Sequence, residues 1–315
     1  MVWQAVESVL TLLILISVGW WLAGRPWFGK TGGALFSKYV VQIAVPCYMF
    51  YNMTDVCSSR EELLDLFRRV PLPAVVILFS FGVALVLAKL LKVQRERRGV
   101  FLNVITFSNV VFVGFPVVTA IFGEQGMPYA MIYYLANTLF FWTGGVWYLR
   151  RYGSGSKTTT AKEALKGIFS PPIVGMLIGV VFVFFGLSLP KFLLTPVTML
   201  KNTATPIAML FIGSVIRNSD IKHMQLSRDL AAVVLMRFLM LPALVGLLVA
   251  ALPLDPLMRQ VFFLLSAMPA MTQLGVMAKE SGSDYAFAAV LITVTTAVSM
   301  VVIPLYMALI QFLPF

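Results

Sequence analysis

The chain has 315 residues, of which 60% are hydrophobic and only 12% charged, and its mean hydropathy is +0.91. No soluble globular domain of this length carries that balance, so the chain reads as an all-α, polytopic membrane protein. The net charge of +11 does not point to nucleic acid, because the basic residues sit in short clusters between apolar runs; their partner is the bilayer surface.

At about 20 apolar residues per span, ten spans are expected, at roughly 3–23, 34–53, 71–91, 100–122, 127–149, 170–188, 195–216, 229–251, 257–279 and 285–311. The first lacks a basic leader and a small-residue cleavage site, so it reads as a retained span. Span 2 carries Pro46-Cys47-Tyr48-Met49 and Asn52. Its Cys47 and the nearby Cys57 are the only cysteines. They read as free thiols, with neither a disulfide framework nor a metal-ligand set around them.

Span 4 contains the stretch Phe107-Ser108-Asn109-Val110-Val111-Phe112-Val113-Gly114-Phe115-Pro116-Val117-Val118-Thr119. Proline lacks the N–H and clashes with the preceding turn, so the helix is expected to open near Gly114 and restart at Pro116. The turn Gly123-Glu124-Gln125-Gly126 followed by Pro128 predicts a tight hairpin into span 5. Tyr134 and Asn137 share one helical face of that span.

The segment Arg150 to Phe169, with Gly-Ser-Gly-Ser and Thr-Thr-Thr, reads as a linker between halves at 1–149 and 170–315. In the second half Pro206-Ile207-Ala208-Met209 repeats the Pro-x-x-Met of span 2, and span 9 is broken by Met268-Pro269-Ala270-Met271-Thr272, repeating Pro-x-x-Thr. Interrupted spans at matching places in two halves point to a transporter binding site. Five spans per half is an odd number, so the halves cross the bilayer in opposite directions as a 5+5 inverted repeat.

Of the 24 Lys and Arg residues, seventeen fall on one side of the expected spans and six on the other. The positive-inside rule makes the first side cytoplasmic and sends both termini outward. The last, Arg237, lies within span 8, about two turns from its cytoplasmic start. It reads either as a functional intramembrane charge or as a side chain that snorkels or caps a broken helix. The single histidine, His223, falls in a polar loop.

The spans contain no acid, base or nucleophile constellation, so the sequence predicts neither an enzyme nor a cofactor. Helices starting at Pro116 and Pro269 would leave the N–H groups of Val117, Val118 and Thr119, and of Ala270, Met271 and Thr272, without intrahelical partners. Each such end carries about half a positive charge. Two together match one carboxylate, with the neutral Asn109 and Gln273 fixing its orientation. Met49, Asn52, Tyr134 and Asn137 are the candidate lining.

Asn109-x4-Gly114-x-Pro116, the run from Ala267-Met268-Pro269 to Ala278-Lys279-Glu280, and Val45-Pro46 resemble the auxin efflux carrier family, which includes the plant auxin exporters and bacterial malate or malonate permeases. That resemblance covers the whole chain. It implies a scaffold domain, a transport domain with helices 4 and 9 crossing at their prolines, an elevator-like motion and an organic-anion substrate. It also assigns Asn109 to substrate contact. The reading of the two broken helices adds Gly114, Phe115, Pro116, Val117, Thr119, Met268, Pro269, Ala270, Thr272 and Gln273 as candidates for the substrate site. The short central loop, and Met49 where the plant carriers have a hydroxyl residue, favour a prokaryotic carrier.

The expected function is therefore secondary transport of a small carboxylate across an inner membrane, by export or electrogenic uniport, with a homodimer open as the assembly. A proton- or sodium-coupled symporter or antiporter is the first alternative. A non-transporting membrane receptor is the second.

The basic asymmetry has a direct consequence for accessibility. A single cysteine at Ser156, with Cys47 and Cys57 replaced, is expected to be shielded from an impermeant thiol reagent added outside intact cells. Labelling from outside would reverse the orientation.

Overall fold

The computed structural model describes residues 2–57, 59–154, 160–218 and 228–310; Ser156 and His223 lie outside them. The described residues form helices and their connections, with one isolated antiparallel pairing, Ser108 with Ala270. The helices are α1 (Val2–Ala23), α2 (Gly29–Tyr39), α3 (Val45–Val56), α4 (Arg60–Arg68), α5 (Pro71–Leu90), α6 (Arg95–Thr106), α7 (Phe115–Phe122), α8 (Met127–Phe140) and α9 (Val146–Tyr152). They continue as α10 (Ala161–Ile168), α11 (Pro171–Phe184), α12 (Lys191–Asn202), α13 (Ala204–Asn218), α14 (Arg228–Leu235), α15 (Leu241–Ala251), α16 (Pro256–Ser266), α17 (Gln273–Glu280) and α18 (Tyr285–Leu309).

Among the described residues, six helical stretches are long and apolar enough to cross a membrane: Thr31–Asp55, Arg60–Leu90, Val110–Tyr152, Lys191–Asn218, Leu230–Ala251 and Tyr285–Leu309. A seventh is the pair Lys162–Ile168 and Pro171–Phe184, bent by 66°. Spans expected at 100–122 and 257–279 fail that measure because each is cut in two, α6 from α7 and α16 from α17. Large apolar side chains such as Ile14, Leu78, Leu247 and Val301 are exposed on the helices, as surfaces that meet lipid require. The chain is thus a polytopic α-helical membrane protein.

Four turns widen to a π-helical pitch, at Val40–Ala44, Val110–Gly114, Phe141–Gly145 and Met236–Met240. Three of them stand directly before a helix whose second residue is proline, namely Pro46, Pro116 and Pro242. A proline cannot donate to the carbonyl four residues back and its ring presses on that carbonyl, so a wider turn relieves both problems without ending the helix. At Pro242 the released carbonyl is Phe238, and it accepts the Tyr306 hydroxyl instead.

The helices form two compact units, each drawing on both sides of the 150–169 segment. One comprises 1–70, 111–132 and 169–219, the other 71–110, 133–168 and 220–315. In the first unit, α1 packs along α13 and α11 along α3. Small residues allow these approaches: a Cβ on Gly213 would stand 2.0 Å from the Ile16 carbonyl oxygen, and one on Gly175 would stand 2.3 Å from that of Pro46. Gly175 and Gly179 are four apart on the same face of α11, the spacing by which membrane helices bring their backbones together. The expected hairpin is present, with Gly123–Gly126 forming a 3-10 turn between α7 and α8 and Gly123 at φ +65°.

In the second unit α6 packs against both α5 and α9, α15 against α16, and α17 against α18. Its core is lined by fully buried Phe101, Phe107, Tyr133, Phe141 and Phe262. Edge-on rings of Phe107 and Phe141, with centroids 5.5 Å apart, wedge the end of α6 against the turn that leads into α9.

Gly213→Ala and Gly175→Ala are each expected to destabilise the protein by about 1–3 kcal/mol through overpacking, read as a lower unfolding temperature in detergent. Gly82, whose Cβ would meet nothing within 4 Å, serves as the control, and Gly82→Ala is expected to leave the transition where it is or raise it.

Candidate functional site

Span 4 opens at Phe107–Asn109, not at Gly114. The helix α6 ends at Thr106, Phe107 is extended at φ −98° and ψ 130°, and helical backbone resumes at Val110. Pro116 therefore sits inside a continuous helical stretch, its missing bond absorbed by the wide turn Val110–Gly114. The expectation that Val117, Val118 and Thr119 present N–H groups at a helix end is corrected accordingly; the end is at Val110. Span 9 opens over Ala267–Thr272, and α17 begins at Gln273 with Thr272 as its N-cap. Here the proline does lie in the opening, but the helix restarts four residues after it.

The two openings are tied to each other. Ser108 pairs with Ala270 as a two-residue antiparallel bridge, and the Asn109 N–H donates to the Pro269 carbonyl at 2.9 Å. Asn137 clamps Ser108 from α8: the Ser108 N–H donates to its Oδ1 at 3.1 Å, and its Nδ2 donates to the Ser108 carbonyl at 3.3 Å. Thr295 of α18 accepts the Ala270 N–H at 3.2 Å through Oγ1. Unwound backbone inside a membrane must find such partners, since lipid offers none.

The C-terminal ends of α6 and α16 converge on Arg237, which is wholly buried. Its Nε and Nη2 donate to the Met268 carbonyl at 2.9 and 2.7 Å, its Nη1 donates to the Ile105 carbonyl, and Nη2 reaches Ser108 Oγ at 2.7 Å. The Phe107 carbonyl lies at 3.4 Å. Two helix C-termini carry together about one unit of negative charge, and one guanidinium with five forked donors offsets it. Of the two readings open for Arg237, the structure selects capping, performed on both broken helices at once.

The structure brings Asn109, Asn137, Met268, Pro269 and Ala270 of the candidate residues together in one cluster; Asn109 and Asn137 are both buried. Tyr134 is buried on the same helix as Asn137, and Thr272 and Gln273 are half-buried at the start of α17. The remaining candidates belong to the first unit. There Thr119 meets Tyr48, hydroxyl to hydroxyl at 2.6 Å, and the ring of Phe115 lies 6.3 Å from that of Tyr48. Met49 and Asn52 are buried on α3, with Asn52 Nδ2 donating to the Tyr48 carbonyl at 3.0 Å. Gly114, Pro116 and Val117 are buried in the helical stretch that carries Thr119.

Two groups went unread in the sequence. Ser108 and Thr295 act through the backbone of the openings, and only the unusual Ser-Asn pair in mid-span signalled the first. The second is an ion pair in the first unit, Lys201 with Glu124 at 3.1 Å, in which Lys201 is buried and its ammonium lies 3.8 Å from the centre of the Tyr51 ring. The sequence places Glu124 in the turn after span 4 and Lys201 within span 7, and nothing in their local sequence marks them as partners.

Over residues 4–307 the chain matches the family described as Membrane transport protein. An uncharacterized transporter of Methanocaldococcus jannaschii is similar at 26% identity over 308 residues, covering 95% of this chain and 97% of its own length. A second, from Methanothermobacter thermautotrophicus, is 25% identical over 304 residues, covering 95% and 96%.

Because Arg237 serves carbonyls spread over two chain segments, a compact ammonium cannot replace it. Arg237→Lys is expected to cost at least about 3 kcal/mol, in the range for breaking a buried charged network, and to abolish transport. Asn137→Leu, which strands the Ser108 N–H and leaves its carbonyl only the Val110 N–H, is expected to cost about 1–3 kcal/mol. Thermal unfolding in detergent measures both, and an unchanged transition for Arg237→Lys would refute the double cap.

Proposed function

The chain belongs to the Membrane transport protein family, that of the auxin efflux carriers, and from that premise we propose that it carries small carboxylates, binding them at the paired openings of spans 4 and 9. It is a membrane transporter and not an enzyme. The observation that carries the carboxylate reading is the use of Arg237. This side chain occupies the negative ends of both broken helices, so the positive ends beginning at Val110 and Gln273 are left without a compensating charge from it. Helix starts of this kind favour anions. Asn109, buried immediately before the start at Val110 and held by its N–H to Pro269, supplies a neutral amide to orient a carboxylate.

The proposed architecture is ten spans in a 5+5 inverted repeat, supported by the occurrence of one opening in each half and by their mutual pairing. Elevator-type alternating access belongs to the same reading and is supported by the family. Uncoupled, electrogenic movement is the preferred energetics: among the described residues no Asp or Glu is buried, and Glu7, near the start of span 1, and Asp55, at the end of span 2, are exposed. An inner-membrane location with both termini outward completes the proposal.

Moving a monoanion through 100 mV is worth about 2.3 kcal/mol, so an inside-negative potential favours export by roughly fiftyfold. Tracer efflux of candidate mono- and dicarboxylates from proteoliposomes under potassium-diffusion potentials, without pH or sodium gradients, is expected to follow the potential. Flux that ignores the potential and follows a proton or sodium gradient would favour the coupled alternative, and binding without counterflow would favour a receptor. Asn109→Ala is expected to weaken substrate binding by about 1–3 kcal/mol in a correctly folded protein, measured by ligand-dependent thermal shift.

A further inference from the structure

A cavity of about 510 Å³ in the second unit is lined by Arg95, Arg98, Arg151 and Tyr152. It lies where α6 begins and α9 ends, two helices that pack together. Nothing in the transport reading uses it.

The charge in this cavity is uncompensated in a specific way. Neighbouring arginines on the same two helices have carboxylate partners: Arg97 pairs with Asp284 at 3.0 Å and Arg150 with Glu163 at 2.9 Å. Arg95, Arg98 and Arg151 have no carboxylate within ion-pair distance among the described residues, and the nearest acidic residue in sequence, Glu96, is exposed. Arg98 lies with its guanidinium 5.7 Å from the centre of the Tyr152 ring, and its Nε is shut off from solvent without a hydrogen-bond partner among the described residues. A guanidinium N–H withdrawn from water and left unmatched costs free energy unless a ligand meets it. Three guanidinium groups around one space suit a phosphate, which accepts their forked N–H groups two at a time.

The depth of the cavity selects the kind of phosphate. Two of the membrane-crossing stretches end beside it in sequence, Arg60–Leu90 just before Arg95 and Val110–Tyr152 at Tyr152 itself. Trp147, 46% exposed, stacks edge-on with Tyr148 at 4.7 Å and carries the Arg151 guanidinium 5.0 Å from its own ring centre. Exposed Trp and Tyr beside basic residues mark the headgroup level of a bilayer. At the end of α5, Val86 and Leu90 are exposed, and α5 packs on α6, so acyl chains have an apolar surface to follow along the neighbouring helix. We propose that this cavity holds the phosphate of an acidic phospholipid headgroup, with Arg95, Arg98 and Arg151 as its ligands and the acyl chains lying along the end of α5.

The test is native mass spectrometry of the full-length protein in detergent, offered equal amounts of phosphatidylglycerol and phosphatidylcholine. Wild type is expected to retain phosphatidylglycerol preferentially. Arg95→Gln, Arg98→Gln and Arg151→Gln are each expected to reduce that retention about fivefold. Arg95 and Arg151 are exposed, so those two variants report on the site even if Arg98→Gln fails to fold. Arg25→Gln, on the other unit, is expected to change nothing. Retention that is the same in Arg95→Gln and Arg151→Gln as in wild type would overturn the site. Inorganic phosphate or glycerol 3-phosphate binding as tightly as the lipid would overturn the lipid as its occupant and assign the cavity to a soluble phosphate ester.

Discussion

The fold of the second unit depends on one buried guanidinium. Two helices stop in the interior of a membrane protein, and each stop exposes carbonyl groups that lipid cannot satisfy, at several kcal/mol per group. Arg237 collects the carbonyls of Ile105 and Met268, with Ser108 Oγ beside them. In doing so it converts an arginine that would be prohibitive alone in hydrocarbon into a group whose charge is matched by two helix dipoles. Ser108, Ala270, Asn137 and Thr295 then complete the backbone bonds around it. Without the arginine, neither opening has a partner for its C-terminal end, and the pairing of Asn109 with Pro269 loses its frame.

The prolines and the openings turn out to be separate devices. Pro46, Pro116 and Pro242 each follow a widened turn and interrupt nothing, while span 4 opens at Phe-Ser-Asn, a sequence with no intrinsic helix breaker. That opening is imposed by tertiary bonds, from Asn137 on one side and Ala270 on the other. Span 9 differs because Pro269 lies in the opened segment, where its carbonyl accepts from Asn109. The matching positions in the two halves thus reach one pairing by two local routes.

This explains what the sequence disclosed. Membrane class, paired interruptions and the grouping of Asn109 with Met268, Pro269 and Ala270 follow from hydropathy and from repeated Pro-x-x-Thr, both local patterns. The location of the first opening did not, since the visible breaker, Pro116, was accommodated and the true one was a contact 29 residues away with Asn137. The role of Arg237 was legible only as a choice, because capping depends on which carbonyls are nearby and these come from positions 130 and 132 residues earlier or 31 later. The Lys201–Glu124 pair was invisible for the same reason.

If the proposed anion site is taken as given, the electrostatics also constrain the substrate. Arg237 carries one positive charge, and the two helix C-ends that it caps carry about one negative charge between them, so the pair is close to neutral when seen from a ligand site. The attraction available to an anion is then that of the helix starts at Val110 and Gln273, again about one unit in total, supplemented by the dipole of a buried amide at Asn109. A single carboxylate satisfies that potential, whereas a dianion would bring a second charge into a low-dielectric space with nothing to meet it. On the proposed reading, selectivity between carboxylates resides in the apolar remainder of the ligand. A site of this kind suits a monoanion with a hydrophobic body better than a small, doubly charged one.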